Sequence, residues 1–128
     1  MPPTLLIIDD DDHIALVLRR ALKAYDTTHV RSAEDALALL AARDFDAILC
    51  DLTLPGYSGM DFHAQLLGAR PELEPHLGFM TGGPVNDEMD RFVVAHDEQI
   101  LAKPFELDRV RRFVARLVTP RPAQYPNI

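Results

Sequence analysis

The sequence predicts a single α/β domain: a five-stranded parallel sheet with helices on both faces. Three observations lead there. Five short apolar runs of strand length alternate with five stretches of helical periodicity, and strands that alternate with helices pair in parallel through crossovers. The central runs, Leu5-Leu6-Ile7-Ile8 and Ala47-Ile48-Leu49-Cys50, are continuously apolar rather than alternating, as strands buried on both faces must be. The chain has 128 residues, 48% of them hydrophobic and 26% charged, which suits one globular domain with its own core.

Each element has a local cause. Thr4 to Ile8 is apolar and partly β-branched and forms the first strand. Four aspartates, Asp9 to Asp12, follow, and Asp11 or Asp12 can cap the first helix, where negative charge suits the helix N-terminus. Ile14, Val17, Leu18, Ala21, Leu22 and Tyr25 recur at helical spacing and place that helix at about 13–24, with Arg19, Arg20 and Lys23 toward solvent. Asp26-Thr27-Thr28 breaks it, and Thr28 to Arg31 is a short second strand. Ser32, with Asp35 three residues on, opens a second helix that carries Ala33, Ala36, Leu37 and Leu40 and ends near Arg43. The third strand, Ala47 to Asp51, is stopped by Leu54-Pro55-Gly56.

Ser58 caps a third helix with Met60, His63, Leu66 and Leu67, ending between Gly68 and Pro71. Pro71 and Pro75 bracket a loop. Leu77 to Thr81 is the fourth strand, ended by Gly82-Gly83-Pro84. Val85, Met89, Phe92 and Val93 mark the fourth helix, and Gln99 to Ala102 the fifth strand. After the turn Lys103-Pro104-Phe105, the residues Leu107, Val110, Val114 and Leu117 give a fifth helix to Val118. Residues 1–3 are then a leader, 4–118 the domain, and 119–128, with three prolines, an extended tail or linker. Right-handed crossovers at this length give the doubly wound, flavodoxin-like (βα)5 arrangement, a parallel sheet of order 2-1-3-4-5.

Charge narrows the function. A net charge of −7 and a pI near 5.0 speak against direct nucleic-acid or general membrane-surface binding. The single cysteine, Cys50, excludes an internal disulfide and reads as a small buried hydrophobe in a reducing compartment. No apolar stretch reaches the length of a membrane span, and the N-terminus has no basic region of the signal-peptide kind, so the expected location is the cytoplasm. Of thirteen basic residues only Lys23 and Lys103 are lysines, which makes a lysine informative by its position.

In the 2-1-3-4-5 order the carboxyl ends of strands 1 and 3 are neighbours at the switch point, where ligands gather in open α/β sheets. Asp9 and Asp10 end strand 1, Asp51 ends strand 3, Thr81 strand 4 and Lys103 strand 5. Alone, Asp51 could equally cap a turn. Together, three carboxylates in one crevice repel by about 1 kcal/mol per pair at ~4 Å in water and roughly 4 at an effective dielectric of 20. A raised pKa, Lys103 or a divalent cation can offset this. All-oxygen ligands favour Mg²⁺ over zinc, and the five histidines are scattered and expected at the surface or its boundary. Asp11, Asp12 and His13 are expected at caps or in solvent, and Arg109, Arg112 and Arg116 on a solvated face of the fifth helix.

This pattern resembles the receiver domain of bacterial two-component response regulators. The likeness rests on Asp9-Asp10, Asp51, Leu54-Pro55-Gly56 with Gly59-Met60-Asp61 behind it, Thr81-Gly82 and Lys103-Pro104-Phe105, and it spans roughly Thr4 to Val118. The resemblance implies that Asp51 is the phosphoacceptor, taking a phosphoryl group from a phosphohistidine on a histidine kinase or phosphotransfer domain. It implies a Mg²⁺ ion held by Asp10, Asp51 and the backbone carbonyl of Thr53, with Asp9 acting through a water. Lys103 would pair with a phosphoryl oxygen and Thr81 would turn its hydroxyl onto another, drawing the following loop inward. The Lys103–Pro104 peptide would be cis. Such a domain is not an enzyme in the ordinary sense, although it catalyses its own phosphorylation and slow dephosphorylation. A homodimer through helix 4, strand 5 and helix 5 is a further expectation.

One position departs from the pattern. Many receivers carry an aromatic residue three before the lysine, acting as a switch partner to the threonine, and here it is Ile100. With Met80-Thr81-Gly82-Gly83 this leans toward receivers fused to hybrid sensor kinases. Two other readings fit parts of the sequence. A receiver-like interaction module that acts without phosphorylation is kept alive by Ile100 and opposed by the complete acid, threonine and lysine set. A hydrolase of the haloacid-dehalogenase kind needs a second acid two residues after Asp51, where this chain has Thr53.

Overall fold

The computed structural model describes residues 1–83 and 85–120. Its elements are β1 (Thr4–Ile8), α1 (Asp12–Ala21), β2 (Asp26–Val30), α2 (Ala33–Leu40), β3 (Ala47–Asp51), α3 (Gly59–Ala69), β4 (Leu77–Thr81), α4 (Asp87–Ala95), β5 (Ile100–Ala102) and α5 (Leu107–Val118). The strands form one parallel sheet of order β2-β1-β3-β4-β5, as the alternation of elements requires.

The side-chain alternation of each strand divides the core in two. Leu5, Ile7, Ala47, Leu49 and Met80 face α1 and α5, where Leu18, Val110, Val114 and Leu117 meet them. Leu6, Ile8, Ile48, Cys50 and Phe79 face the other way, onto Ala36, Leu40, Phe62, Leu66 and Met89 of α2, α3 and α4. All five residues of β3 are buried, which is why that segment reads as a continuous apolar run and ends at its first charge. Residues Val110, Phe113, Val114 and Leu117 give α5 its single buried stripe.

Caps set the helix starts. Asp11 caps α1, its side chain accepting from the amides of His13 and Ile14. Ser32 accepts from the Asp35 amide at the start of α2. Ser58 and Asp61 form a reciprocal capping box on α3. Asn86 caps α4 through the Met89 amide.

Several boundaries differ from the sequence reading. Helix α1 ends at Ala21 rather than about 24, and β2 begins at Asp26, two residues early, because Asp26 and Thr27 pair with Thr4 and Leu5. Helix α2 stops at Leu40, where Arg70 donates to the Leu40 and Arg43 carbonyls. The stretch Pro71–His76, expected as loop, is a 3-10 turn, with Pro71 at the helical position that proline tolerates. Val85 lies outside α4 and is exposed, and Gln99 belongs to a 3-10 turn before β5. Leu67 is exposed. His63, expected at the surface or its boundary, is buried among the edges of Phe79, Phe92 and His96, with its Nε2 3.4 Å from Glu74 Oε2. Pro84 and the tail beyond residue 120 lie outside the described residues.

Gly78 shows how closely the α5 layer sits. A Cβ there would lie 2.5 Å from Phe113 Cε2 and 2.8 Å from Leu117 Cδ1. Gly78→Ala is therefore expected to lower the unfolding free energy by about 1–3 kcal/mol through overpacking, measured by urea titration; an unchanged midpoint would show that α5 can move away freely.

Candidate functional site

The register β1–β3 pairs Ile8 with Cys50, so one further residue brings Asp9 beside Asp51 at the carboxyl edge of the sheet. Carboxylate oxygens of Asp9, Asp10 and Asp51 lie within 4.8 Å of one another. Asp9 and Asp51 are buried, and Asp10 stands more open at the rim. Lys103 reaches the same point from the end of β5: its Nζ is 3.4 Å from Asp51 Oδ2. The Lys103 amide donates to the Thr81 carbonyl at 2.7 Å, which ties the ends of β4 and β5 together. The Lys103–Pro104 peptide is cis.

Asp51 is held rigidly. Its Oδ1 accepts from both the amide and the hydroxyl of Thr53, each at 3.0 Å. Behind it, α3 approaches so closely that a Cβ on Gly59 would lie 2.8 Å from the Asp51 carbonyl oxygen and from Leu52 Cα. Glycine at 59 is what lets the capped start of α3 pack under the Asp51 turn.

Asp9 is the strained member electrostatically. Its Oδ1 accepts from the Asp11 amide at 2.9 Å. Its Oδ2 is the one buried side-chain polar atom without a hydrogen-bond partner among the described residues. Burial pushes its carboxyl pKa up to about 6, with the charges of Asp51 and Asp10 adding to the rise and the Asp11 amide and Lys103 opposing it. Burial likewise holds the Cys50 thiol well above its ordinary value, so the protonated form predominates at neutral pH and behaves as a small hydrophobe.

The site thus carries three carboxylates against one ammonium. At about 5 Å and an effective dielectric of 20, each carboxylate pair repels by roughly 3 kcal/mol. Lys103 balances one charge, which leaves a local excess of two. A vacant acceptor lone pair on Asp9 and an all-oxygen donor set suit a hard divalent cation.

Thr81 is buried, and its hydroxyl accepts the Gly83 amide at 3.1 Å. Among the described residues no hydrogen bond joins it to Asp51. Gly83 adopts φ +125°, which glycine allows without strain. Ile100, half-buried, lines a cleft of about 570 Å³ with Thr81, Gly83, Val93, Lys103 and Phe113. Asp11 caps α1, Asp12 pairs with Arg31, and His13 is exposed. Arg109, Arg112 and Arg116 are exposed on α5.

A sequence profile described as the response regulator receiver domain matches residues 5–115. The chain belongs to the response regulator receiver domain family. Among curated relatives, this receiver is 30% identical over 118 residues to the DNA-binding transcriptional regulator NtrC of Salmonella typhimurium, covering 88% of this chain and 24% of that protein. It is 32% identical over 127 residues to the sensor histidine kinase AruS of Pseudomonas aeruginosa, covering 92% of this chain and 12% of that protein. The receiver therefore spans less than half the length of these relatives. Its fold matches the receiver domain of a signal transduction histidine kinase from Syntrophus aciditrophicus, with TM-score 0.80 at 22% identity, covering 98% of each chain. It also matches the chemotaxis response regulator CheY4 of Vibrio cholerae, with TM-score 0.77 at 18% identity over 91% of this chain and 99% of that one. Among the described residues no helix is long and apolar enough to cross a membrane.

Two contacts of this receiver had no signal in the sequence. Thr53 was expected to act through its carbonyl, yet its hydroxyl also reaches Asp51. His29 meets the Asp9 carbonyl at 2.8 Å, a contact that only the β1–β2 register could have pointed to.

The raised Asp9 pKa has a measurable consequence. Between the unfolded value of 3.8 and about 6 the native state binds more protons than the unfolded one, so stability falls as pH rises through that window. Without divalent cations, Asp9→Asn should be more stable than wild type above pH 6, by at most about 3 kcal/mol. That advantage should shrink as pH falls through about 6 toward 3.8. Paired denaturation curves across this range check it, and a constant difference would remove the ionised Asp9 as its cause.

Proposed function

We propose that this chain is a phosphoaccepting receiver of a two-component phosphorelay, with Asp51 as the acceptor. The observation that carries the reading is the buried, partnerless Asp9 Oδ2 beside Asp10 and Asp51. It supports a Mg²⁺ site in which Asp10, Asp51 and the Thr53 carbonyl are ligands and Asp9 acts through a water. When bound, Mg²⁺ supplies charge neutralisation and orientation for a transferring phosphoryl group.

The chain's own groups do the rest. An Asp51 carboxylate oxygen attacks phosphorus, an O–P bond forms, and the P–N bond to the donor imidazole breaks with its electron pair returning to nitrogen. Thr53 holds the carboxylate in place for that attack. Lys103, already 3.4 Å from Asp51, transfers its ion pair to a phosphoryl oxygen as a mobile point charge. Thr81 then donates its hydroxyl proton to another phosphoryl oxygen, which draws the β4–α4 loop inward.

The donor is a phosphohistidine on a histidine kinase or phosphotransfer domain, in the cytoplasm. Both transcriptional regulators and a sensor kinase are among the relatives, so a free-standing regulator and a hybrid kinase are both suitable hosts. Ile100 in place of an aromatic, and the open cleft beside it, favour the hybrid setting. They also sustain the second reading, an interaction module that works unphosphorylated. Acidic Asp87, Glu88 and Asp90 on α4 and exposed Arg109, Arg112 and Arg116 on α5 suit a two-fold pairing of copies through α4, β5 and α5.

Incubation with a phosphorylated histidine kinase and Mg²⁺ should add one phosphoryl group, located at residue 51 by mass spectrometry and absent in Asp51→Asn. Uptake by Asp51→Asn at the wild-type rate would assign the acceptor elsewhere. Lys103→Ala should remain folded but lose either the rate of uptake or the shift of the Thr81 to Gly83 amides on phosphorylation. A variant matching wild type in both has no need of Lys103. Binding of a partner equally with and without beryllium fluoride would favour the unphosphorylated module.

A further inference from the structure

Asp9 is the first residue past β1, and its backbone is gripped from β2. Its amide donates to the Val30 carbonyl at 3.1 Å. Its carbonyl meets His29 Nε2 at 2.8 Å. A carbonyl oxygen only accepts, so His29 must carry a proton on Nε2 and donate it. Among the described residues no backbone amide takes that carbonyl. The β1–β2 ladder has ended there, and the ring stands in for its next rung.

We infer that His29 is a positioning residue for the acidic site, fixing the peptide that joins Asp9 to Asp10. With amide, carbonyl and Oδ1 all engaged, Asp9 has one buried oxygen left without a partner among the described residues. Asp10 follows from the same peptide plane. Rotation of that plane would re-aim the Asp10 carboxylate relative to Asp9 and Asp51. Beside the Asp9 amide bond to Val30, a further side-chain tie joins the same two segments, Arg31 to Asp12, but its side chains are 59% and 71% exposed. Exposed pairs hold little, so the half-buried His29 contact carries the constraint.

This inference rests on the phosphoacceptor reading, because it assigns His29 a role in Mg²⁺ binding. Removing the ring's donor leaves every ligand present but lets the loop that carries Asp10 and the water-linked Asp9 relax. The loss should therefore fall on metal affinity rather than on the chemical step. Outer partners of metal ligands change affinity by about 10–100-fold. His29 acts through one backbone carbonyl, so the lower end applies.

The test compares wild type, His29→Leu and His29→Gln in MgCl₂ titrations followed by amide NMR, with phosphorylation by phosphoramidate measured over the same Mg²⁺ range. His29→Leu keeps bulk without a donor, and His29→Gln keeps an N–H that can reach the carbonyl. The expected result is about tenfold weaker Mg²⁺ binding by His29→Leu, a phosphorylation rate that recovers at saturating Mg²⁺, and rescue of affinity by His29→Gln. Mg²⁺ affinity in folded His29→Leu within roughly twofold of wild type overturns the inference while leaving the function standing, since second-partner effects are larger than that. Affinity in His29→Gln as poor as in His29→Leu overturns it too. A wild-type chain that binds no Mg²⁺ and takes no phosphoryl group overturns the function reading and this one with it.

Discussion

Three aspartates that repel one another are gathered at one sheet edge, and much of the surrounding structure holds them there. The parallel register of β1 and β3 sets Asp9 beside Asp51. Thr53 fixes Asp51, Lys103 offsets one charge, and the Asp11 amide takes one oxygen of Asp9. None of these satisfies Asp9 Oδ2. A stability-optimised protein would place an amide or an apolar group there, since a buried unpaired carboxylate is costly. The cost falls where a divalent ion would relieve it, which is the physical link between fold and function.

The same edge also borders the β4–α4 loop. Thr81 sits at the end of β4, with its carbonyl tied to the Lys103 amide and its hydroxyl tied to Gly83. One bond belongs to the rigid sheet and the other to the loop. Under the proposed function, a phosphoryl oxygen on Asp51 would take the hydroxyl's own proton, which the bond from the Gly83 amide does not use. The cleft next to Thr81 is floored in part by Ile100, so loop motion has space to occupy, although an isoleucine offers no hydroxyl and a shorter reach than an aromatic ring.

Most of this was legible in the sequence, and the exceptions share a cause. β3 and β4 matched residue for residue because both are buried on two faces and leave no polar position to blur the pattern. β2 was misplaced because an edge strand with half-exposed residues has no such signal, and its start depends on pairing with Thr4 and Leu5. His63 was misjudged because its burial depends on aromatic edges from β4 and α4, residues far from it in the chain. The gathering of Asp9, Asp10, Asp51, Thr81 and Lys103 at one edge was readable since each lies at or just past a strand end, and topology alone collects strand ends. The contacts that tune them, from His29 to the Asp9 carbonyl and from the Thr53 hydroxyl to Asp51, are tertiary and become visible only in three dimensions.

The most direct measurement is the melting temperature at pH 7 as a function of Mg²⁺ concentration, by scanning calorimetry on wild type and Asp10→Asn. A ligand that binds only the folded state stabilises in proportion to the logarithm of its concentration once above its dissociation constant. The melting temperature should climb with Mg²⁺ in wild type, and much more weakly in Asp10→Asn. A wild-type melting temperature that stays flat with Mg²⁺ would contradict it, because the crowded aspartates would then be stable without the cation their geometry calls for.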